Sequence, residues 1–210
     1  NYNNLLLSDD ISRLRKIIAR YELFKKTLKV PGDIIECGVF KGVSFLFWIK
    51  CLKIFSPNAN KKVVGFDMFT GFPKNLNKTE KLSASRYIKN SDFKGIDPKK
   101  LVLQAKKIIN EKNFELVKGN IVSTAKKYVK KNYGFKISLL HLDLDTYSGT
   151  KAALKYFFPK ISKGGIIILD EYGSRGWGET QAVDEFLKKK NLKVEVLENA
   201  DSPTGFVKIL

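Results

Sequence analysis

The feature that most constrains the fold is the stretch 137–171, which contains two apolar runs, each followed by two carboxylates. The four acids are Asp143 and Asp145 after the first run, and Asp170 and Glu171 after the second. Short apolar runs bounded by turn signals predict buried parallel strands. Residues 148–158, between the runs, have apolar side chains at helical spacing. The stretch therefore predicts a strand–helix–strand unit with a right-handed crossover.

Both pairs of carboxylates then lie at the C-terminal ends of neighbouring strands, where open α/β sheets form their ligand sites. Four carboxylates in one crevice repel one another unless a positive charge lies between them. Mg²⁺, a hard cation that prefers oxygen ligands, is the natural candidate. Asp is common at strand ends and in turns, so a single Asp would mean little. Two pairs at consecutive strand ends predict a metal site.

Length and composition indicate one globular domain, residues 1–210, with 43% hydrophobic residues. The sequence has no secretory signal and no apolar run long enough to span a membrane. Cys37 and Cys51 lie outside any metal-binding spacing, which is typical of a reducing compartment and predicts a cytoplasmic protein. The chain starts at Asn1 rather than Met, which is consistent with a piece of a longer protein.

The net charge of +18 raises nucleic acid as a partner. Almost all of the excess is lysine, however, and the chain has five arginines, the residue that recognises phosphates with two hydrogen bonds. The lysines are scattered over predicted helices and turns. A nucleic-acid partner is therefore the less favoured interpretation.

Two further segments lie outside the predicted sheet. Residues 1–30 form an arm and then an amphipathic helix from Ser8 to Lys29, capped by Ser8; a homodimer contact, if one forms, is expected here. Residues 74–96 are polar and aperiodic, and loops of this length are usually lids, binding loops or disordered segments. We expect a mobile cover over the strand ends.

A glycine turn follows the first predicted strand, with Glu36, Gly38 and Gly42 in the spacing Glu-x-Gly-x-x-x-Gly. Such a turn lets the backbone approach a ligand, but the dinucleotide fingerprint Gly-x-Gly-x-x-Gly is absent. Asp67 ends the second strand, where an acid can bind ribose hydroxyls or can simply belong to a turn. The apolar residues from Met68 onward can flank a flat ring or can pack the loop.

Together with strands at 114–118, 193–197 and 206–210, these elements predict an α/β fold. The sheet would have seven mostly parallel strands, helices on both faces, and an antiparallel hairpin formed by the last two strands.

The order of these features resembles the Rossmann-like sandwich of class I S-adenosylmethionine-dependent methyltransferases. More narrowly, it resembles the macrocin/mycinamicin/novobiocin type of sugar O-methyltransferase. The stretches that carry the resemblance are 31–42, 65–73, 142–150 and 163–173, with 182–186.

The resemblance implies S-adenosylmethionine and Mg²⁺ as cofactors and a sugar-bearing small molecule as the methyl acceptor. It implies a role for each matching residue: Glu36, Gly38, Gly42, Asp67, Met68, Asn120, Ile121 and Asp143 at the cofactor; Asp143, Asp170 and Glu171 at the metal; and Asp145 as the general base.

The chain departs from the family pattern at three positions. Leu144 replaces the middle glycine of Asp-Gly-Asp, Glu171 replaces the second acid of Asp-Asp, and His141 stands where arginine is frequent. A lone histidine on an apolar strand is more often a buried core residue than a catalytic one. These departures leave the reaction class intact and put the acceptor in question.

Three other functions compete with this interpretation. A nicotinamide-dependent dehydrogenase would use a similar sheet, but the missing fingerprint argues against it. A nucleic-acid methyltransferase or basic RNA-binding module would bind RNA with a steep dependence on salt. A non-catalytic binding protein would bind the ligand without turnover, since fold alone does not decide function.

Overall fold

The structure, a computed structural model, describes residues 5–58, 60–90, 95–198 and 202–210. Six strands form one sheet: β1 (Asp33–Cys37), β2 (Val63–Asp67), β3 (Phe114–Lys118), β4 (Ile137–Leu142), β5 (Ile161–Leu169) and β6 (Gly205–Lys208). Within the described residues, these α-helices accompany them: α1 (Ser12–Lys26), α2 (Val43–Phe55), α3 (Lys78–Asn90), α4 (Pro98–Lys106), α5 (Ile121–Lys131), α6 (Tyr147–Phe157) and α7 (Glu179–Lys188).

The strands lie in the order β3-β2-β1-β4-β5-β6, with β1 to β5 parallel and β6 antiparallel to β5. The chain starts at the centre of the sheet, runs to one edge, and then returns to β4 beside β1. This reversal is the topological switch point at which open α/β sheets bind ligands. Both predicted carboxylate pairs follow strands on its far side, β4 and β5.

Helices cover both faces of the sheet, as predicted, and alternate strand residues enter two separate cores. Ile35, Leu140 and Ile167 face a core built with α5, α6 and α7. Their sequence neighbours Ile34, Leu139 and Ile166 face a second core built with α1, α2 and α4. The central strands are therefore buried on both sides, which explains why they are continuous apolar runs rather than alternating ones.

Local sequence signals set several helix ends. Asp97 caps α4, where its side chain accepts a hydrogen bond from Lys99 N, and Pro98 occupies the first helical position. Asn120 caps α5 in the same way through Val122 N. At the start of α2, Gly42 adopts a left-handed conformation with a φ of +79°, which glycine adopts without steric cost.

The predicted seventh strand and its hairpin are wrong. Within the described part of the chain, residues 193–197 make only an isolated antiparallel bridge between Glu195 and Phe206, and the sheet ends at β6. The segment is mostly exposed and carries charged residues at Lys193 and Glu195, so little apolar burial supports a longer ladder. Residues 199–201, between this segment and β6, lie outside the described residues.

The prediction of a structureless loop over residues 74–96 is also wrong, because residues Lys78–Asn90 form helix α3. Asn77 and Glu80 start it: the Asn77 side chain accepts from Glu80 N, and the Glu80 carboxylate accepts from Asn77 N. This reciprocal arrangement is a capping box, which we did not identify in the sequence because Asn takes the place of the usual Ser or Thr. The lid function of this segment stays a prediction.

The N-terminal helix is shorter than predicted and is not capped by Ser8. It runs from Ser12 to Lys26, and Asp10 rather than Ser8 accepts a hydrogen bond from Ser12 N. Residues 1–4 of the predicted arm lie outside the described residues. Of the helices that the structure describes, none combines the length and apolarity that a membrane crossing requires.

Candidate active site

One cleft opens at the C-terminal ends of the central strands and has a volume of about 430 Å³. This size lies within the range of roughly 300–1,000 Å³ that is usual for small-molecule pockets. Of the eleven predicted site positions, all but Glu36 and Gly42 line the cleft. The residues brought together are Gly38, Asp67, Met68, Asn120, Ile121, Asp143, Asp145, Asp170 and Glu171.

One side of the cleft contains the predicted cofactor residues Asp67 and Asn120. The Asp67 carboxylate accepts hydrogen bonds from Val39 N at 2.8 Å and Phe40 N at 2.9 Å, and from Phe69 N at 2.6 Å. These bonds tie the end of β2 to the glycine turn after β1, and they leave part of the carboxylate's capacity of about four acceptor positions. The Asn120 oxygen accepts from Val122 N, a bond that does not use its amide NH₂ group.

Glu36 and Gly42 do not line the cleft. Glu36 is fully buried, and its carboxylate accepts a hydrogen bond from Ser44 Oγ and lies 3.6 Å from His141 Nδ1. At Gly42, an added Cβ would meet the side chain of Leu101 in the core rather than a ligand. The glycine turn therefore lies at the cleft through Gly38, but Glu36 and Gly42 lie behind the cleft wall.

Gly38 is the glycine that the cleft requires. Its φ is +95°, and a Cβ there would overlap the carbonyl oxygen of Asp143. Gly38 N bonds to Phe66 O, and Asp143 N bonds to Cys37 O. The absence of a side chain at this position allows β1 and β4 to close together directly under the cleft.

The predicted base, Asp145, has an unusual backbone. Its φ is +60°, and Thr146 N bonds to Leu144 O at 2.6 Å, so Asp145 is the central residue of a γ-turn. Positive φ in a non-glycine residue is uncommon and strained. The carbonyl oxygen of Asp145 accepts hydrogen bonds from Gly178 N and Glu179 N, which hold the turn. Residues kept in such conformations concentrate at functional sites.

The carboxylates in the cleft are strongly coupled. Burial, then the neighbouring Asp170, raises the pKa of Asp143 to about 7. Burial, then the charges of Asp143 and Glu171, raises the pKa of Asp145 well above its ordinary value. The cleft thus contains more negative charge than its own cations balance, and a further cation would stabilise the ionised acids.

Asp170 is the exception, because cationic and polar donors surround it. Lys16 Nζ lies 2.6 Å from Oδ2, and Ser202 Oγ donates to the same oxygen at 3.0 Å. Oδ1 is 3.0 Å from an Arg20 guanidinium nitrogen and 3.1 Å from His141 Nε2. Although burial acts in the opposite direction, the hydrogen bond from His141 and the charges of His141, Arg20 and Lys16 hold the pKa of Asp170 well below its usual range.

The donor set fits a hard divalent cation. His141, Asp143 and Asp170 each offer a ligand atom within 4.8 Å of the others, and Glu171 lines the same cleft. The Asp143 side chain, 29% exposed, faces the open side, whereas the fully buried His141 is engaged with Asp170. Oxygen ligands from Asp143, Asp170 and Glu171 match the preference of Mg²⁺. For Asp170 to contribute, one of its four donors must release an oxygen.

Two buried glutamates organise the cleft and were missed in the sequence. Glu179 Oε1 accepts from Glu171 N at 3.1 Å, and burial raises the pKa of Glu179 well above its ordinary value. Glu80, in α3, accepts from Tyr147 N at 2.7 Å and so caps helix α6 from outside. Both glutamates lie near the start of a helix, where acidic residues are common, so no sequence signal distinguished them.

Lys16 and Arg20 were also missed as site residues. They are four residues apart and therefore share one face of α1. The spacing was visible in the sequence, but α1 also carries Arg13, Arg15, Lys25 and Lys26, so it did not distinguish this pair.

Aromatic side chains form the outer wall of the cleft. Phe72 stacks on Trp177 with ring centres 5.4 Å apart, and Tyr87 meets both Phe72 and Phe40 edge-on. Tyr87 comes from α3 and Trp177 from the glycine-rich loop before α7. Tyr87 lines the cleft, and Arg86 beside it is exposed.

Comparison with known proteins agrees with this geometry. A family model described as macrocin O-methyltransferase (TylF) matches residues 11–208. The chain is 25% identical over 172 residues to mycinamicin III 3''-O-methyltransferase of Micromonospora griseorubida, covering 80% of this chain and 65% of that protein. It is 25% identical over 147 residues to a tetracenomycin-C 4'-O-methyltransferase of Streptomyces olivaceus that acts on a dimethoxy-rhamnosyl derivative, covering 68% and 54%.

The chain thus spans about half to two thirds of the length of these relatives. Among solved structures it resembles the calicheamicin methyltransferase CalS11, with a TM-score of 0.83 and 25% identity over 99% of this chain and 83% of that one. The O-methyltransferase NovP shares the fold, with a TM-score of 0.77 and 18% identity over 93% and 80%. The sheet is accordingly a six-stranded, mixed version of the class I methyltransferase fold.

Proposed function

The chain belongs to the macrocin O-methyltransferase (TylF) family, and from this premise we propose that it transfers a methyl group from S-adenosylmethionine to a sugar hydroxyl. Mg²⁺ is proposed as the second cofactor. The observation that carries the proposal is the shared cleft, which joins the candidate nucleoside residues Asp67 and Asn120 to the carboxylates after β4 and β5.

Asp67 and Asn120 would bind the nucleoside part of S-adenosylmethionine. Asp67 retains acceptor capacity for ribose hydroxyls, and the Asn120 amide retains donors for the adenine edge. Met68 and Ile121, which line the same side, would contact the flat ring. Gly38 would bring the backbone close to the methionine part. Glu36 and Gly42, which lie behind the cleft wall, would not contact the cofactor but would hold the turn that carries Gly38.

Asp143, Asp170 and Glu171 would hold Mg²⁺. The bound cofactors would supply an electrophilic methyl group and a lowered pKa for the acceptor hydroxyl. Asp145 would accept the hydroxyl proton while the methyl group passes from sulfur to oxygen, which leaves S-adenosylhomocysteine and a methyl ether. Because burial and the neighbouring acids raise the pKa of Asp145, its ionised form is a better proton acceptor than an ordinary carboxylate.

The acceptor is proposed to carry a sugar, because both curated relatives are named for methylation of a sugar or sugar-bearing compound. The related structure of CalS11 is named a TDP-rhamnose 3'-O-methyltransferase. The aromatic wall of Phe72, Tyr87 and Trp177 supports this class of acceptor, because aromatic faces pack well against the apolar side of a sugar ring or an attached aglycone.

The binding test uses calorimetry with S-adenosylhomocysteine and, separately, with NAD. We expect the protein to bind S-adenosylhomocysteine and not NAD. Asp67→Ala should weaken the binding of S-adenosylhomocysteine, because its ribose hydroxyls lose a charge-assisted hydrogen bond. Exposed Asp184→Ala is the matched control. A screen of sugar-bearing acceptors follows, with and without Mg²⁺. Tight binding of NAD and none of S-adenosylhomocysteine would overturn the proposal.

A further inference from the structure

We infer that Lys16 is an exchangeable counter-ion of the metal site: its ammonium group holds Asp170 in the metal-free protein and leaves when a divalent cation binds. The inference rests on the proposed metal site and assigns a role to a residue outside the family's carboxylate motifs. It also couples the first half of helix α1 to the occupancy of the cleft.

The first observation is that both carboxylate oxygens of Asp170 already accept hydrogen bonds. Its two oxygens receive four donors, from Lys16, Ser202, Arg20 and His141, at distances of 2.6–3.1 Å. A carboxylate offers about four acceptor positions in total. A metal ion can therefore bind Asp170 only if one of these donors departs.

The second observation is that Lys16 is the donor that can leave. Its side chain is 32% exposed, whereas that of Arg20 is 8% exposed and His141 is completely buried. A lysine ammonium on its flexible stem is readily rehydrated, whereas the planar guanidinium of Arg20 is held in place by burial. Ser202 donates a neutral hydrogen bond, so its departure would relieve no positive charge.

The third observation concerns what Lys16 holds in place. Of residues 11–18, Lys16 alone is shielded from solvent to an intermediate degree, and the other seven are exposed. The buried anchors of α1, Ala19, Leu23 and Phe24, all lie in its second half. The contact between Lys16 and Asp170 thus attaches the first half of the helix to the cleft.

Release of Lys16 on metal binding therefore has two consequences. The cation must compete with the ammonium group, so the native protein binds Mg²⁺ more weakly than the carboxylates alone would. The first half of α1 also loses this attachment to the cleft, so its backbone hydrogen bonds open more often. Both consequences can be measured without methyl transfer.

The test compares three forms of the full chain: the native protein, Lys16→Met, and Lys26→Met as the control. Lys26 is exposed on the same helix, ten residues or roughly 15 Å from Lys16 along the axis. Titration calorimetry with MgCl₂ should show about ten- to hundredfold tighter binding in Lys16→Met, the value of one charge-assisted hydrogen bond. Lys26→Met should match the native protein.

Hydrogen exchange separates displacement from a general effect of charge. Addition of Mg²⁺ should speed amide exchange of residues 12–18 in the native protein and in Lys26→Met. In Lys16→Met, these amides should exchange fast with or without Mg²⁺. Equal Mg²⁺ affinity in native and Lys16→Met proteins, or no change in exchange on Mg²⁺ addition, would overturn the inference alone. Absence of Mg²⁺ binding in all three forms would overturn the metal site as well.

Discussion

At the scale of single residues, the function of this cleft depends on where a few carboxylates sit relative to backbone turns. Asp145 is set apart from its neighbours by its γ-turn, while Asp143 and Asp170 share the region next to Arg20. Asp170 is surrounded by donors and Asp145 by other acids. Chemically identical side chains thus acquire pKa values shifted in opposite directions by their surroundings.

Replacement of Asp145 by Asn tests its role as the base. The amide keeps the size of the side chain but cannot accept the acceptor's proton, so the rate of methyl transfer should fall by roughly 10²–10⁴. Mg²⁺ affinity, measured by calorimetry, should change little. Asp184→Asn, an exposed change on α7, serves as the control. A native rate in Asp145→Asn would show that another group takes the proton.

Gly38→Ala tests the close approach of β1 and β4. The new Cβ would overlap the Asp143 carbonyl, so the free energy of unfolding should fall by about 1–3 kcal/mol or more. Gly134→Ala is a matched control, since Gly134 also has a positive φ, of +77°, but an added Cβ there meets nothing within 4 Å. Chemical denaturation measures both. Equal losses would mean that the backbone conformation, and not the close approach, demands glycine at position 38.

At the scale of elements, helix α3 joins two parts of the cleft. Glu80 caps α6 through Tyr147 N, and Ser83 Oγ donates to Gly176 O in the loop that carries Trp177. The helix therefore contacts both the segment after Asp145 and the aromatic wall. This placement favours the predicted lid function. The lid would then be a helix that undocks as a unit, and not a mobile loop.

Glu80→Ala tests this docking. It would leave the N–H groups of Tyr147 and Asn77 without their acceptor, and each partly buried donor costs up to about 1–3 kcal/mol. Amide exchange should therefore speed up across Lys78–Asn90, with the central strands unchanged. Exposed Lys81→Ala should have no such effect. If α3 exchanges equally slowly in both variants, the contact with Tyr147 does not hold the helix in place.

Elements were more predictable than contacts. The strands β1 to β5 were located within one to three residues, because apolar runs bounded by glycine and acidic residues report a doubly buried sheet directly. Strand 193–197 failed because alternation in an exposed segment does not show whether a partner strand covers it. Helix α3 failed because its polar sequence has only two buried side chains, Glu80 and Ala84.

The same distinction applies to the site. Nine of the eleven predicted positions line the cleft, because strand ends and glycine turns are local features. Glu80, Lys16 and Arg20 were missed because each acts on a residue more than sixty positions away. No local pattern encodes such a distance.

At the scale of the whole molecule, the distribution of charge is uneven. The chain carries a net charge of +18, yet its cleft gathers several carboxylates at the ends of two neighbouring strands. Most lysines are exposed, so the surface is basic and the interior of the cleft is acidic. Such a cleft selects cations even within a basic protein, because nearby fixed charges determine the local potential.

Chelation tests whether the nucleoside-binding side of the cleft, with Asp67 and Asn120, works independently of the proposed metal site. Excess EDTA should abolish methyl transfer but leave S-adenosylhomocysteine binding largely intact, because Asp67 and Asn120 follow β2 and β3 while the metal candidates follow β4 and β5. Restoring Mg²⁺ should restore turnover. Undiminished turnover in EDTA would mean that the carboxylates do not act through a metal ion.

The four donors around Asp170 also determine when the site can fold during synthesis of the chain. They come from positions 16, 20, 141 and 202, so the first partners emerge from the ribosome about 150 residues before Asp170 and the last about thirty residues after it. A nascent chain that has completed β5 still lacks Ser202 and β6, the strand that covers the edge of β5. Folding of the site therefore waits until residues 202–208 have been synthesised, and a product that stops before them would expose both an open sheet edge and an incompletely satisfied buried acid.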